Sequence, residues 1–276
     1  MKNTKNLLRG LIIAAAMPLA IAAPAIAGPE HNHDTMTADA PTMDAKAKKV
    51  WDRSIEATMN GKTDQEWIDS VRMTGTMSMP SQGISAEMNI LIVPDSGMTL
   101  AITIPGMGAF ASGVNGDVVW SSNMMEGPKI LEGAEAKQMS EQMDVMADLH
   151  WEKYFSSVTY KGEEEIELPN DTTVNTHVLE LTSITDGEVS TRYFDADSGL
   201  TVMSVTMAAI PGGGKIPATT YMLDYREVEG MMMSFKNISS TGPMQQVIEF
   251  DKVEINGDVK PGELDLPADV KELIED

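Results

Sequence analysis

Apolar residues recur at every second position along several short segments, and this alternation constrains the fold more than any other feature of the chain. In residues 71–79 and 84–92 each alternate position is apolar or glycine, and Pro80 and Pro94 follow the two runs. Successive side chains of a β-strand point to opposite faces, so each run predicts a strand with one apolar face. Comparable segments recur at roughly ten-residue spacing with turn residues between them, which is typical of an antiparallel meander.

The other predicted strands have similar lengths and similar turn-rich flanks. They cover residues 98–104, 110–114, 118–122, 155–167, 173–183, 189–194, 200–208, 218–228, 231–239 and 245–255. So many strands in one meander form a strongly curved sheet or partial barrel. We therefore predict a mainly β (α+β) fold, an open antiparallel β-barrel or half-barrel of about 11 strands lidded by two or three helices.

Two segments have helical periodicity instead. Residues 44–60 place apolar side chains at three- and four-residue spacing, with Asp44 able to cap the first turn and Gly61 ending the helix. Residues 132–149 place Met139, Met143 and Met146 on one stripe, opposite an acidic face. Both predicted helices are amphipathic, so each needs an apolar surface to cover.

The first 27 residues have the pattern of a secretory signal peptide. Three basic residues precede a long apolar run that ends in Ala25-Ile26-Ala27, and the segment contains no acid. The alternative is an uncleaved anchor, because the apolar run is nearly long enough to cross a bilayer. The prolines within the run and the Ala-x-Ala ending favour cleavage. We therefore predict an exported, periplasmic protein of a Gram-negative bacterium, without a permanent membrane anchor.

Residues 28–43 predict a flexible tether, because they are rich in Pro, Asp, Thr and His and lack apolar periodicity. His31 and His33 are weak candidates for capturing copper or zinc. The remaining residues, 44–276, are predicted to form a single domain.

The charge and cysteine content exclude several classes of protein. The chain has 42 acidic and 20 basic residues, a net charge of −22, and loss of the signal peptide would make it three units more negative. Such a chain is repelled by nucleic acids and anionic lipid surfaces. The absence of cysteine excludes disulfides, thiolate metal sites, catalytic thiols and an acylated N-terminal cysteine.

Signatures of enzymes are also scarce. The chain contains no G-x-S-x-G motif, and Pro211–Ile216 lacks the first glycine and the hydroxyl residue of a phosphate-binding loop. His150 and His177 are isolated in sequence, so they form no metalloprotease or triad pattern. We therefore expect a protein that is not an enzyme and that needs no cofactor.

Methionine is unusually abundant, with 23 residues against only five Phe, five Tyr and four Trp. Methionine is flexible and polarizable, and it recurs on surfaces that accept variable apolar partners. The apolar faces of the first two strands and the 132–149 stripe could meet as the wall and lid of an adaptable cavity. The candidate cavity residues are Met73, Met77, Met79, Met88, Ile90, Ile92, Met139, Met143 and Met146. The alternative is an ordinary core in which methionine replaces leucine.

Several short motifs, taken in order, resemble the LolA/LolB-like superfamily of periplasmic lipoprotein carriers and their outer membrane lipoprotein-sorting relatives. After the signal peptide and the N-terminal helix, they are Val114-Asn-Gly-Asp-Val-Val-Trp120, the helix after it, Tyr193-Phe-Asp-Ala-Asp-Ser-Gly-Leu200, Asp224-Tyr-Arg-Glu-Val-Glu-Gly230 and Leu264-Asp-Leu-Pro267. The resemblance covers about residues 44–276.

The resemblance implies a half-pipe of antiparallel strands lidded by helices, with an apolar cavity that holds acyl chains during transit. By position, the Asn-Gly-Asp turn and Trp120 match the family's N/D-G-x-x-x-W hairpin, which favours a structural role over a binding one. Trp120 is nevertheless included among the candidate cavity residues. The resemblance also implies a cavity arginine from the early strands, where Arg72 is the only basic residue.

The leading hypothesis is a soluble periplasmic carrier that holds lipid or lipoprotein acyl chains in an apolar, Met-lined cavity of several hundred Å³. Its partners would include an inner-membrane donor and an outer-membrane acceptor, in lipoprotein or lipid trafficking for outer-membrane biogenesis. The alternatives are a non-catalytic envelope interaction or scaffold module and a periplasmic copper-binding protein. The copper alternative would use Met77 and Met79 or residues 231–233.

Overall fold

One sheet of fourteen strands dominates the computed structural model, which describes residues 40–62, 67–124, 126–141, 143–209 and 213–275. The elements in chain order are β1 (Thr42–Met43), α1 (Ala45–Met59), β2 (Val71–Met79), β3 (Ile84–Val93), β4 (Gly97–Ile104), β5 (Gly108–Asn115), β6 (Val118–Asn123), β7 (Gly127–Ile130), α2 (Gly133–Glu141), β8 (Phe155–Glu167), β9 (Thr173–Ser183), β10 (Val189–Asp195), β11 (Thr201–Ala209), β12 (Lys215–Val228), β13 (Met231–Thr241), β14 (Met244–Ile255) and α3 (Ala268–Glu275). Short 3₁₀ turns follow β2 and precede β8.

The sheet consists of two antiparallel meanders, β2 to β7 and β8 to β14, joined where β14 pairs antiparallel with β2. At the far side β1 pairs in parallel with β8, so β1 and β7 are the two edge strands of the described sheet. The sheet does not close on itself. The predicted open antiparallel fold is therefore confirmed.

The twelve strands read from the alternation all form, with ends shifted by at most three residues. Two further strands, β1 and β7, were not predicted. β1 is only two residues long and pairs Thr42 and Met43 with Ser157 and Val158, so the predicted tether stops short of these two residues. β7 is a four-residue edge strand containing Pro128, a residue that edge strands tolerate because it donates no ladder hydrogen bond.

The two meanders meet at the pairing of β2 with β14, called the seam, where the two backbones approach each other closely at Gly75. Gly75 lies opposite Phe250 of β14, next to a bulge in that strand. A Cβ atom at position 75 would overlap the carbonyl oxygen of Glu249 and lie 2.8 Å from the Cα of Phe250. Only glycine fits here without moving one strand from the other.

The inner face of the sheet, defined as the face that carries Met73 and Leu179, holds the core. On the β2–β6 and β13–β14 side, a large apolar cluster packs against residues of α2 and the segment that follows it. On the β8–β10 side, a second cluster surrounds Trp51 of α1. Trp51 packs on Phe155 and Phe194, with ring centroids 6.4 and 6.2 Å apart.

Helix α1 begins at its predicted cap. The Asp44 carboxylate accepts hydrogen bonds from the amides of Lys46 and Ala47 at 2.9 and 2.8 Å, and from the amide of Tyr160 in β8 at 2.7 Å. The amides of Ala47 and Tyr160 lower the pKa of Asp44 below its ordinary value. The same side chain therefore starts the helix and fixes it to the sheet.

The predicted helix over residues 132–149 is shorter than expected. Helix α2 ends at Glu141, and Asp144 accepts a hydrogen bond from the amide of Met146 at 3.1 Å. Aspartate side chains that bond nearby amides compete with helical hydrogen bonding, which explains the change of backbone here. Residues 143–153, called the cover below, continue as turns and a 3₁₀ segment before β8.

The C-terminal segment packs on the outer face of β5 to β7. The Asn115 side chain donates to the carbonyl oxygen of Leu264 at 2.7 Å, and Val270 of α3 is fully buried. Arg72, on the outer face of β2, pairs with Glu263 at 2.8 Å. The amide of Lys260 and the Arg72 guanidinium hold the pKa of Glu263 below its ordinary value.

Residues 1–27 and most of 28–43, with His31 and His33, lie outside the described residues. Among the helices that are described, none is long and apolar enough to cross a membrane.

Candidate functional site

A cavity of about 180 Å³ lies between the inner face of strands β10 to β14 and the cover. Val145, Ala147 and Asp148 of the cover form its roof, and the end of α1 closes one side with Thr58 and Met59. The cavity therefore has a floor of strands and a roof made of a short, irregular segment.

One side of the cavity is lined by methionine. The six methionines come from α1, β2, β12 and β13, and Phe250 of β14 lies beside them: Met59, Met73, Met222, Met231, Met232 and Met233. Thioether side chains have several rotatable bonds and adapt to irregular apolar shapes. This side can accept alkyl groups without a fixed geometry.

The other side is lined by hydroxyl groups from three neighbouring strands, namely Ser190 in β10, Thr201, Ser204 and Thr206 in β11, and Thr220 in β12. The hydroxyl of Thr220 hydrogen bonds with that of Ser239 in β13 at 2.9 Å. The cavity is consequently amphipathic, rather than uniformly apolar as the sequence predicted.

An ion pair joins the floor to the roof. Arg192 of β10 is only 6% exposed, and its Nη1 lies 2.7 Å from Oδ1 of Asp148 in the cover. The guanidinium also lies over the rings of Trp51 and Phe155, with its carbon 5.2 and 5.4 Å from their centroids. A buried cation is therefore held at the cavity by aromatic faces and by a carboxylate from the roof.

Two further hydrogen bonds hold the cover. Trp51 donates from Nε1 to the carbonyl oxygen of Asp148 at 2.9 Å, and Tyr154 donates from its hydroxyl to the carboxylate of Asp144 at 2.6 Å. Burial and the bond to Asp144 raise the pKa of Tyr154 above its ordinary value. Burial also raises the pKa of Glu141, at the end of α2, against the opposing charge of Lys137.

Tyr225 lies in the floor of the cavity. Its hydroxyl donates to the carbonyl oxygen of Thr201 at 2.6 Å, linking β12 to β11. Burial raises the pKa of Tyr225 above its ordinary value, and the nearby negative charge of Asp148 raises it further. The hydroxyl stays protonated at neutral pH and serves as a hydrogen-bond donor.

Searches with the chain find no matching protein-family model and no matching curated protein. Solved structures with a similar fold are found at low sequence identity. A LolA superfamily protein from Nitrosomonas europaea superposes with a TM-score of 0.52 at 13% identity, covering 80% of this chain and 97% of that one. A putative outer membrane lipoprotein-sorting protein domain from Vibrio parahaemolyticus gives 0.52 at 11% identity, covering 83% of this chain and 100% of that one. This chain has a LolA-like fold.

A DUF1329 family protein from Desulfovibrio piger is also similar, with a TM-score of 0.54 at 9% identity over 79% of this chain and 97% of that one. At these identities the likeness is one of fold. The resemblance noted in the sequence motifs and the LolA-like fold agree.

Within the LolA-like fold, nine of the ten predicted cavity residues meet in one apolar cluster. Seven of them are buried, namely Met73, Met77, Met79, Met88, Ile90, Ile92 and Met146. The other two, Met139 and Met143, are partly buried and pack against this cluster. The predicted sheet face and methionine stripe thus lie against each other. Of the nine, Met73 also lines the 180 Å³ cavity.

Trp120 is not brought together with these residues. Its neighbour Val119 pairs with Val114 and belongs to the inner cluster, so the alternation of β6 places Trp120 on the outer face. A Cβ atom on the opposing Gly113 would lie 3.1 Å from the Trp120 ring. This arrangement is that of a structural tryptophan in the hairpin.

Sequence reasoning missed the polar side of the cavity. Arg192 is the one basic residue of β10, and it shares a face with Ser190 and Phe194. The sequence feature that could have identified Arg192 is that it is a single arginine at an inward-facing position of an alternating strand. Arg72, which the family resemblance suggested, points to the outer face instead.

The described residues contain no group of three or more His, Asp or Glu side chains arranged to hold a metal ion. His150 lies in the cover, and His177 lies in β9 beside Tyr160, with the Tyr160 hydroxyl 3.4 Å from its Nδ1. The prediction about His31 and His33 stays a prediction.

Proposed function

We propose that the protein is a periplasmic carrier that binds the acyl chain of a lipid or lipoprotein between the sheet and the cover, without catalysing a reaction. The observation that carries this proposal is the cavity between the inner face of a LolA-like sheet and an irregular cover. Its methionine side suits chains of variable length and shape.

The size of the cavity indicates how a ligand would enter. Sites that enclose small molecules usually measure roughly 300–1,000 Å³. The present cavity, at about 180 Å³, is smaller than the several hundred Å³ predicted from the sequence and has room for only part of a lipid. A longer chain would require the cover to move away from the sheet.

Such a movement would break the contacts that hold the cover. Its polar contacts with the body of the protein include the Asp148–Arg192 pair and the Trp51 hydrogen bond, and Met146 anchors it in the apolar cluster. Displacing it would expose the methionines beneath it, including Met73. An incoming acyl chain would then replace the apolar contacts of the cover.

The proposed place of action follows from the N-terminal segment and the charge. A cleaved signal peptide would deliver the protein to the periplasm, where an inner-membrane donor and an outer-membrane acceptor would be its partners. Cleavage would remove three basic residues and change the net charge from −22 to −25, which would keep a free carrier from adsorbing to anionic membrane surfaces. Loading and release would then depend on partner proteins rather than on the membrane surface.

The proposal can be tested with a substitution that fills the cavity and a matched control substitution on the opposite face of the same strand. Ser204→Phe places an aromatic ring in the cavity, whereas Val205→Phe adds the same ring to the other face of β11. We expect Ser204→Phe to weaken binding of a fluorescent long-chain acyl probe by roughly tenfold or more, and Val205→Phe to leave it near the wild-type level. Circular dichroism would verify that both variants fold. Equal affinity in the wild type and Ser204→Phe would remove this cavity as the acyl site.

A further inference from the structure

We propose that Arg192 makes the cavity selective for amphiphiles with an anionic head group, a carboxylate or a phosphate ester on an alkyl chain. This inference rests on the proposed acyl-binding function and assigns the head-group chemistry of the same site. It follows from three features: the ion pair across the cavity, the polar row beside it and the position of the methionines.

The first feature is that the carboxylate paired with Arg192 belongs to the part that must move. Arg192 lies on a strand of the floor, whereas Asp148 lies in the cover. If the cover lifts to admit a ligand, Asp148 moves away while Arg192 stays, still packed against Trp51 and Phe155. Separating a buried cation from its carboxylate is costly, so a ligand that supplies an anionic group in its place is favoured over a neutral one.

The second feature is a polar row that continues from Arg192 across the sheet. In register, Arg192 lies opposite Ser204 of β11, Ser204 opposite Thr220 of β12, and Thr220 opposite Ser239 of β13. Paired residues on adjacent strands share one face, so Arg192 and the three hydroxyl-bearing residues form a row on the inner face. Carboxylate or phosphate oxygens at Arg192 could accept hydrogen bonds from the neighbouring hydroxyls.

The third feature is the direction in which the alkyl chain of a bound ligand can extend. The register row next to the hydroxyls contains Met222, which pairs with Asn237, and Met231 and Met233 follow along β13 toward Met73. A ligand with its head at Arg192 would therefore extend its alkyl chain over the methionines. The geometry assigns both a polar end and an apolar end to the bound molecule.

The experiment uses the full chain without its signal peptide, freed of bound lipid, and three probes with the same alkyl chain: dodecanoate, dodecyl phosphate and dodecanol. Calorimetric titration should give dissociation constants for the two anions at least roughly tenfold lower than for dodecanol. A tighter carboxylate would indicate a free fatty acid as the source of the head group, and a tighter phosphate would indicate a phosphate-bearing lipid.

Variants of the two charged residues should have opposite effects. Asp148→Asn removes a carboxylate that competes with the ligand for Arg192, so the affinity for anionic probes should rise severalfold. Arg192→Gln should reduce the preference for anions over dodecanol to near one, and Arg192→Lys should restore part of it. Because the wild-type comparison and Asp148→Asn leave Arg192 intact, the test stands even if Arg192→Gln fails to fold.

The outcomes separate this inference from the proposed function. Equal affinity for all three probes, or an anion preference that persists in Arg192→Gln, would overturn head-group selection while leaving acyl binding in place. Failure of every probe to bind would overturn both.

Discussion

At the scale of single residues, Gly75 is the position at which the smallest change should have the largest effect on folding. Gly75→Ala would force β14 away from β2, because its methyl group would overlap the Glu249 carbonyl oxygen. We expect the free energy of unfolding to fall by about 2 kcal/mol or more, measured by urea denaturation.

The matched control is Gly257→Ala, just after β14, where an added Cβ atom would lie 3.7 Å from its nearest neighbour, Glu254 Cβ. This variant should unfold within about 0.5 kcal/mol of the wild type. If the two variants lost equal stability, the tight seam at Gly75 would not be what limits the substitution.

The sequence correctly predicted which face of the sheet a residue lies on where the alternation of apolar positions determines that face. Met73, Met77, Met79 and Met88 were assigned to one face, and the structure buries all four there. Trp120 was assigned from a motif rather than from its position in the alternation, and it lies on the other face. Whether these methionines contact a ligand stays a prediction, since packing in a closed core and lining a cavity have the same sequence pattern.

At the scale of elements, the cover is the part whose attachment can be tested separately. Tyr154→Phe removes one hydrogen bond, from the hydroxyl to Asp144, and leaves the ring in place. We expect a loss of about 1 kcal/mol in stability and faster hydrogen exchange in peptides that contain residues 143–153.

Tyr221→Phe provides the comparison, because Tyr221 lies on the outer face of β12, away from the cover. It should leave exchange in residues 143–153 unchanged. Faster exchange in both variants, or in neither, would mean that the Tyr154–Asp144 bond does not hold the cover.

The elements that the sequence did not predict share a physical cause. β1 has two residues and β7 has four, and both are edge strands, so neither is long enough for its own residues to carry a periodic signal. Residues 142–149 continue a helical apolar pattern, but Asp144 uses its side chain to bond a nearby amide and to accept from Tyr154. Tertiary contacts therefore overrode the local pattern in the cover, the segment to which we assign movement.

At the scale of the whole molecule, two meanders joined at the β2–β14 seam form one open sheet with α1 and α2 on the inner face and α3 on the outer face. The order of short strands predicted this architecture, because neighbouring strands in a meander need only turns between them. The amphipathic cavity was not predictable in the same way, since it depends on the register that brings Arg192, Ser204 and Thr220 into one row.

Native mass spectrometry of protein isolated from the periplasm of a Gram-negative host would measure whether this fold carries an acyl ligand. We predict a species heavier than the polypeptide by the mass of one acyl-bearing molecule, and its loss in the Ser204→Phe variant. Protein that shows only the mass of the bare polypeptide, both as isolated and after incubation with bacterial lipid extract, would mean that the fold is not an acyl carrier.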